Sequence, residues 1–526
     1  MRTLSRNRNE HGDAERLFVL APMRVEARAV RAGAPWSAVE KIGIGRRRAR
    51  AAAPLAQRPD GRPALIAGVC GGLDSMLEPG DVVLASELRT DSRTIVCPDP
   101  AILAGVLRRG GMRVHIGPIV SATGLVFGSR RRELARSGAL GVDMESAWLA
   151  DGAPGRPPTT LRVVLDTPRY EIHRPARAAI AARRAFRALR EASSLLEEWA
   201  AALGEREVTL AGPRASCAGV TRAIEIVERA IDIHGAPVYV RKQIVHNRHV
   251  VGELERRGAV FVDELDEVPQ GATLIFSAHG VSPAVREDAA VRELDVIDAT
   301  CPLVAKVHAE ARRYAAEDFQ IVLVGHADHE EVEGTVGEAP VHTRVIASIE
   351  EARTLELDES RPVACLTQTT LAVDETKAIV AALRARRPDL AVPSSEDICY
   401  ATQNRQDAVR AIAQRCELVL VVGSQNSSNS QRLVEVAQRA GTRGALVECA
   451  EDIPPALLAG IRRVGVTAGA SAPERLVSDV VSALGGLGGV SVVEHAVANE
   501  DTIFNLPPQV RARNGVATVG GPNVGE

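Results

Sequence analysis

Short runs of aliphatic and β-branched residues recur along this chain from Leu17 onward, among them LFVLAP, PALIAGV, DVVLAS and LRVVL, with Ala-rich helical stretches between them. Strands that alternate with helices in this way pack the helices on the faces of a sheet, so the pattern predicts an α/β fold. Further along the rhythm sharpens: TLIFSAHG, IVLVGHA and LVLVVGS each end in Gly, His or Ser before the next helix. The carboxyl ends of parallel strands are where such sheets gather ligand-binding groups.

At 526 residues the chain is long enough for more than one core. Pro175 to Leu203 reads as one long Ala/Arg/Glu helix without internal Gly or Pro, Gly204 is a C-cap candidate, and a new strand starts at Glu207. The boundary is therefore placed at 204–206, which divides the chain into a disordered tail 1–16, a first domain 17–204, a second domain 207–511 and a Gly-rich disordered tail 512–526. No low-complexity linker separates the domains, so they are expected to pack together, each holding its site in a separate core.

The charge balance excludes several classes of function. With 64 basic and 67 acidic residues the net charge is −3, unsuited to coating nucleic acid or an anionic membrane. Aromatic residues make up 3%, too few for base-stacking platforms. No apolar run approaches the roughly 18 residues that span a bilayer, and the basic N-terminus is not followed by a signal-peptide h-region. A cytoplasmic protein is expected. None of the eight cysteines forms a CxxC pair, which weakens zinc-ribbon and thioredoxin readings, and in a reducing compartment a disulfide framework is improbable.

Three of those cysteines follow β-like runs: Cys217 in PRASCAGV, Cys301 in DATCPLV and Cys399 in DICYATQNR, 84 and 98 residues apart. Three α/β lobes around a pseudo-threefold axis would bring their thiolates to one centre; taken singly, each reads more readily as a buried core thiol. His246, His279 and His329 also fall at strand ends, and GSQNSSNS and TAGASAP add Ser427, Ser428, Asn429 and Ser471. Imidazoles, hydroxyls, amides and helix-start N–H groups are the donors a diphosphate needs.

Taken together, CAGV, HNR, FSAHGVS, DATCPLV, EVEGT, TQTTL, DICYAT, NSSNS and TAGASAP resemble the LytB family of 4-hydroxy-3-methylbut-2-enyl diphosphate reductases, the last enzymes of the methylerythritol phosphate route to isoprenoids. The resemblance implies a 4Fe–4S cluster on Cys217, Cys301 and Cys399, with one iron open to the substrate hydroxyl. It also implies reductive dehydroxylation to isopentenyl and dimethylallyl diphosphate, and a ferredoxin- or flavodoxin-type electron donor. His246, His279, His329, Ser427, Ser428, Asn429 and Ser471 would surround the diphosphate, Thr369 would meet the substrate hydroxyl, and Glu331 would deliver the proton that lets it leave as water. The chain departs from the family at two places. Ala215 and Ser216 replace a common Gly-Phe, and Glu330 replaces a proline, where it is expected to be dispensable and to raise the Glu331 pKa by like-charge repulsion. Cys365, Cys416 and Cys449 read as core.

The first domain resembles the purine/uridine phosphorylase superfamily through APMRVEARAV, IGIG, AGVCGGLDSMLEPGDVV, VDMES and VVLDTP. That resemblance implies a phosphorylase-like α/β/α domain in which Met144 and Glu145 hold ribose, Asp166 protonates the departing purine and Glu26 activates water. Leu165 stands where nucleosidases often have Ser or Asn, and ATGLVFG lacks the Asp that commonly follows TG. Both point away from an ordinary methylthioadenosine nucleosidase, and the VDMES and RVVLD pieces are more similar to hopanoid-associated phosphorylases, which release adenine from adenosylhopane. The expectation is thus a bifunctional enzyme that also cleaves an adenosyl compound. A methylthioadenosine/S-adenosylhomocysteine nucleosidase or an inactive scaffold is the alternative for the first domain.

Overall fold

The computed structural model describes residues 17–57, 63–169, 175–393 and 397–511. The tails expected to be disordered, 1–16 and 512–526, lie outside the described residues. The first part holds one eight-stranded mixed sheet whose central strands are Leu65–Gly72, Val82–Thr90 and Thr159–Asp166. The strands are apolar because helices cover them: Val82, Leu84, Leu65, Leu161 and Val163 are fully buried.

The second part contains three separate sheets of four, three and five strands, all parallel. Each is a short βα unit repeated, and their carboxyl ends point loops at a common centre. The strand Arg206–Gly212, first in this part, joins the last sheet between Arg463–Ala468 and Val490–Ala496. The chain therefore leaves the third lobe, builds the other two and returns.

Two expectations are corrected. The helix from Pro175 does not run unbroken to Leu203: it divides into Pro175–Ser194 and Leu196–Ala201. Just before the break, the Ser193 hydroxyl donates to the Leu189 carbonyl and that of Ser194 to Glu191, side-chain bonds that compete with the helical ladder. Nor are the cores separate. Buried side chains run continuously from Leu103, Leu107 and Trp199 in the first part to Val464, Val480 and Leu484 in the second. Backbones meet at this contact. A Cβ on Gly105 would stand 1.9 Å from the Glu451 carbonyl oxygen, and one on Gly486 2.0 Å from that of Asp99. Arg109 donates to the same Glu451 carbonyl at 2.6 Å. Among the described residues no helix is long and apolar enough to cross a membrane.

Candidate functional site

Each of Cys217, Cys301 and Cys399 is the N-cap of a long helix, Ala218–His234, Pro302–Ala316 and Tyr400–Ala413 respectively. Their backbone N–H groups donate to Ala470, Ala278 and Thr369 at 3.3, 3.0 and 3.1 Å. Each thiol is thereby stitched to a loop that also carries a polar pocket residue. All three thiols line one cavity together with His246, His279, His329, Glu331, Thr369, Ser427, Ser428, Asn429 and Ser471. Burial pushes the Cys301 thiol up to about 12 and that of Cys399 up to about 11. Three helix N-termini aimed at three thiols favour their deprotonated form once a cation is present, and thiolates are soft ligands suited to iron–sulfur chemistry.

The opposite wall of the cavity is rich in hydrogen-bond donors. The His246 and His279 rings stack with centroids 4.1 Å apart, and His329 stands edge-on to both at 5.4 and 5.9 Å. Burial and the neighbouring imidazoles hold His246 down at about 2 and His329 at about 4, so both are neutral. The His246 Nδ1 is buried without a hydrogen-bond partner. The Ser471 hydroxyl donates to the His246 carbonyl at 3.0 Å, and Ser427 caps its helix through the Ser430 N–H. Asn429 accepts from the Ala470 N–H and donates to Thr402 Oγ1, which lies 3.1 Å from the Cys399 sulfur.

Glu331 is buried where these two walls meet. One of its oxygens accepts from the Thr369 N–H at 2.6 Å and the other from the Thr369 hydroxyl at 3.1 Å. Its pKa is raised first by burial, with Asp397 as an acidic neighbour adding to the shift, so the repulsion expected from Glu330 is not the leading cause. Glu330 turns instead toward His279, its carboxylate 3.1 Å from Nδ1.

A second cleft opens in the first part, lined by Glu26, Met144, Glu145 and Asp166. Glu26 is buried and accepts from the N–H groups of Met23 and Val69 at 2.6 and 2.8 Å. Glu145 accepts from the Gly45 N–H at 2.8 Å, which uses up the second glycine of IGIG. Burial, opposed by Arg162 and reinforced by Asp143, lifts the Glu145 carboxyl to about 7. Arg162 is fully buried, 2.8 Å from Asp143 and 3.7 Å from Glu145. Gly68 makes this cluster possible, because a Cβ there would stand 2.4 Å from the arginine and 2.5 Å from Glu26. Asp166 is held by buried Arg131, which donates to both carboxylate oxygens at 2.9 and 3.2 Å.

Residues 208–485 match the family model described as LytB protein. The chain belongs to the LytB family. It is 58% identical over 280 residues to 4-hydroxy-3-methylbut-2-enyl diphosphate reductase from Rhodococcus jostii, covering 53% of this chain and 83% of that protein. The corresponding protein of Cutibacterium acnes is 55% identical over 286 residues, 54% of this chain and 88% of that protein. Among solved structures, the E-1-hydroxy-2-methyl-but-2-enyl-4-diphosphate reductase of Plasmodium falciparum superposes with a TM-score of 0.56 at 37% identity, covering 58% of this chain and 97% of that one. Residues 42–189 match the model described as phosphorylase superfamily. The molecule is thus a LytB-family enzyme that carries a phosphorylase-like domain.

The LytB family position of Ala215 has a local explanation. Ala215 adopts φ +60°, a left-handed conformation that glycine enters more easily, and Arg405 fixes its carbonyl with bonds of 3.0 and 2.6 Å. Sequence reasoning missed Arg405, Thr402, Arg131 and Arg162. For Arg162 a signal existed, since an arginine inside the apolar run TTLRVVLD needs buried acids to face. Cys449 is also corrected: it is partly exposed with its sulfur 3.3 Å from the Asp452 carboxylate, not a core thiol, whereas Cys365 and Cys416 are buried.

Proposed function

We propose that residues 207–511 act as a 4-hydroxy-3-methylbut-2-enyl diphosphate reductase and residues 17–204 as a domain that cleaves the N-glycosidic bond of an adenosyl compound. The observation that carries the first reading is the meeting of three helix-capping thiols with three imidazoles across one cavity. The thiols suit a 4Fe–4S cluster: Gly219 leaves open a space where a Cβ would stand 2.7 Å from the Cys301 sulfur and 3.8 Å from that of Cys217. When bound, such a cluster supplies electrons and an open iron that acts as a Lewis acid toward the substrate hydroxyl.

The chain's own groups divide the remaining work. His246, His279, His329, Ser427, Ser428, Asn429 and Ser471 take up the diphosphate through N–H and O–H donors. Glu331 is the proton reservoir, its burial favouring the protonated form; the Thr369 hydroxyl, which donates to it at 3.1 Å, turns to accept that proton while passing its own to the leaving oxygen. Electrons arrive from a ferredoxin- or flavodoxin-type donor. Eight free thiols fit a reducing, cytoplasmic setting. The test is turnover by the anaerobically reconstituted chain with a chemical reductant. Release of isopentenyl and dimethylallyl diphosphate is expected, and an iron-loaded protein without product overturns the reading.

In the first domain Met144 and Glu145 hold the ribose, and Glu26 takes a proton from the nucleophile. Arg162 Nη1, close by, is buried without a hydrogen-bond partner, so a water there would find both a donor and an acceptor. Asp166 meets the purine, and its service as acid requires Arg131 to release one of the two oxygens it now occupies. Ile44, Leu125 and Phe127 leave an exposed apolar rim at this cleft, which favours an adenosyl compound with a bulky apolar substituent such as adenosylhopane over methylthioadenosine. What favours the competing scaffold reading is Asp166, both of whose carboxylate oxygens are occupied by Arg131. Adenine release from apolar adenosyl compounds, measured with and without phosphate, decides between them; no release from any substrate makes the domain a scaffold.

A further inference from the structure

Of the three imidazoles in the diphosphate cavity, His279 is the one hydrogen-bonded to a carboxylate. His329 Nδ1 accepts the Glu331 N–H at 3.1 Å, which leaves its hydrogen on Nε2 and lets it donate while neutral. His246 Nδ1 has no partner. His279 differs: its Nδ1 lies 3.1 Å from a Glu330 oxygen and 3.4 Å from the Ser277 hydroxyl. A carboxylate accepts and cannot donate, so Nδ1 carries the hydrogen of that pair. If the ring were neutral, Nε2 would be a lone pair, unable to donate to a phosphate oxygen. With Nδ1 committed, His279 serves an anion only when both nitrogens are protonated.

We infer that Glu330 is a positioning residue that makes His279 the cationic donor of the anion pocket. This rests on the diphosphate reading of that cavity. The Glu330 carboxylate balances the imidazolium, and the incoming anion supplies its second partner. The groups that face the pair are Lys242 beyond the strand Val238–Arg241, His246, His329 and the buried Glu331, with His326, Asp328 and Arg432 nearer the rim. Lys242, His279 and His329 all act to lower the Glu330 pKa, which keeps it the anionic partner. Ligand atoms of His246, His279 and Glu330 also fall within 4.8 Å of one another. The two rings are stacked 19° from parallel, however, so their in-plane lone pairs run side by side rather than toward a shared metal ion.

The inference predicts an effect opposite in sign to that of a carboxylate that merely repels the ligand. Inorganic diphosphate is titrated calorimetrically into the full-length, cluster-reconstituted protein at pH 7.5. Glu330→Gln should bind about tenfold more weakly than wild type, the loss of roughly one charge-assisted hydrogen bond. Glu330→Asp should recover part of the loss. Equal or tighter binding by Glu330→Gln at pH 7.5 overturns the inference while leaving the pocket reading intact; a wild type that takes no diphosphate overturns the pocket reading. A second measurement needs no variant: ¹⁵N shifts of wild-type His279 should show both nitrogens protonated with diphosphate bound, and an unprotonated Nε2 contradicts the proposal.

Discussion

The two clefts of this molecule are electrostatic opposites. The cavity between the three lobes is walled by donors, with neutral His246 and His329, serine hydroxyls and the Asn429 amide, and Glu331 buried at its deep end. The cleft in the first part concentrates acceptors: Glu26, Asp143 and Glu145 gather around the buried Arg162, and Asp166 is gripped by Arg131. A donor wall suits an anion that arrives already charged. An acceptor wall suits sugar hydroxyls and a carbon that becomes positive as its bond to a base breaks. The two sites share a continuous core, so the contrast lies in strand-end side chains rather than in the scaffold.

The largest expected effect separates proton delivery from binding. Glu331→Gln keeps the shape and the Thr369 contacts but carries no exchangeable acid, so kcat should fall by about 10² to 10⁴ with diphosphate affinity nearly unchanged. Single-turnover kinetics checks this, and an equal loss in both parameters would make Glu331 a binding group. On the other side of the comparison, Asp166→Asn should lower glycosidic cleavage by about 100-fold, with reductase turnover unaffected because the two sites share no residue. Coupled loss of both activities would mean that the two sites are not independent.

A smaller effect tests the acceptor wall through pH. Glu145 is lifted to about 7 in the folded protein, above its ordinary range, so its contribution to stability is complete below about pH 4.5 and is lost as pH rises through 7. Glu145→Gln should therefore gain on wild type across that window and level off above it, by on the order of 2 kcal/mol. Melting temperatures from pH 5 to 8 read this directly; parallel curves would mean that Glu145 does not titrate there.

Much of this was legible in the sequence for a physical reason. Parallel strands deliver ligand groups at their carboxyl ends, so Cys217, Cys301, Cys399 and the three histidines announce themselves by following apolar runs. Partners joined only by the fold did not. Nothing near Glu330 in sequence points to His279, 51 residues away, and nothing marks Arg131 among the three arginines of GSRRREL as the one that grips Asp166. The continuous core was missed because strand patterns show that a face is buried but not what buries it.

The smallest effect concerns the loop before the first thiol. Ala215 occupies left-handed backbone space, so Ala215→Gly should stabilise the protein by up to about 1 kcal/mol, offset by the greater freedom of glycine in the unfolded chain. Chemical denaturation measures it, and a loss of stability would mean that the methyl group's packing outweighs the strain.

The three converging thiols are the centre of the reductase site. Iron content, cluster absorbance and reductase turnover should be measured together on anaerobically reconstituted wild type and on Cys→Ser variants at 217, 301, 399, 365 and 416. Wild type should hold about four irons per chain. Serine at 217, 301 or 399 should abolish turnover and strip or destabilise the cluster, while serine at 365 or 416 should leave both in place. Equal loss across the two sets, or a wild type that turns over without iron, would contradict it.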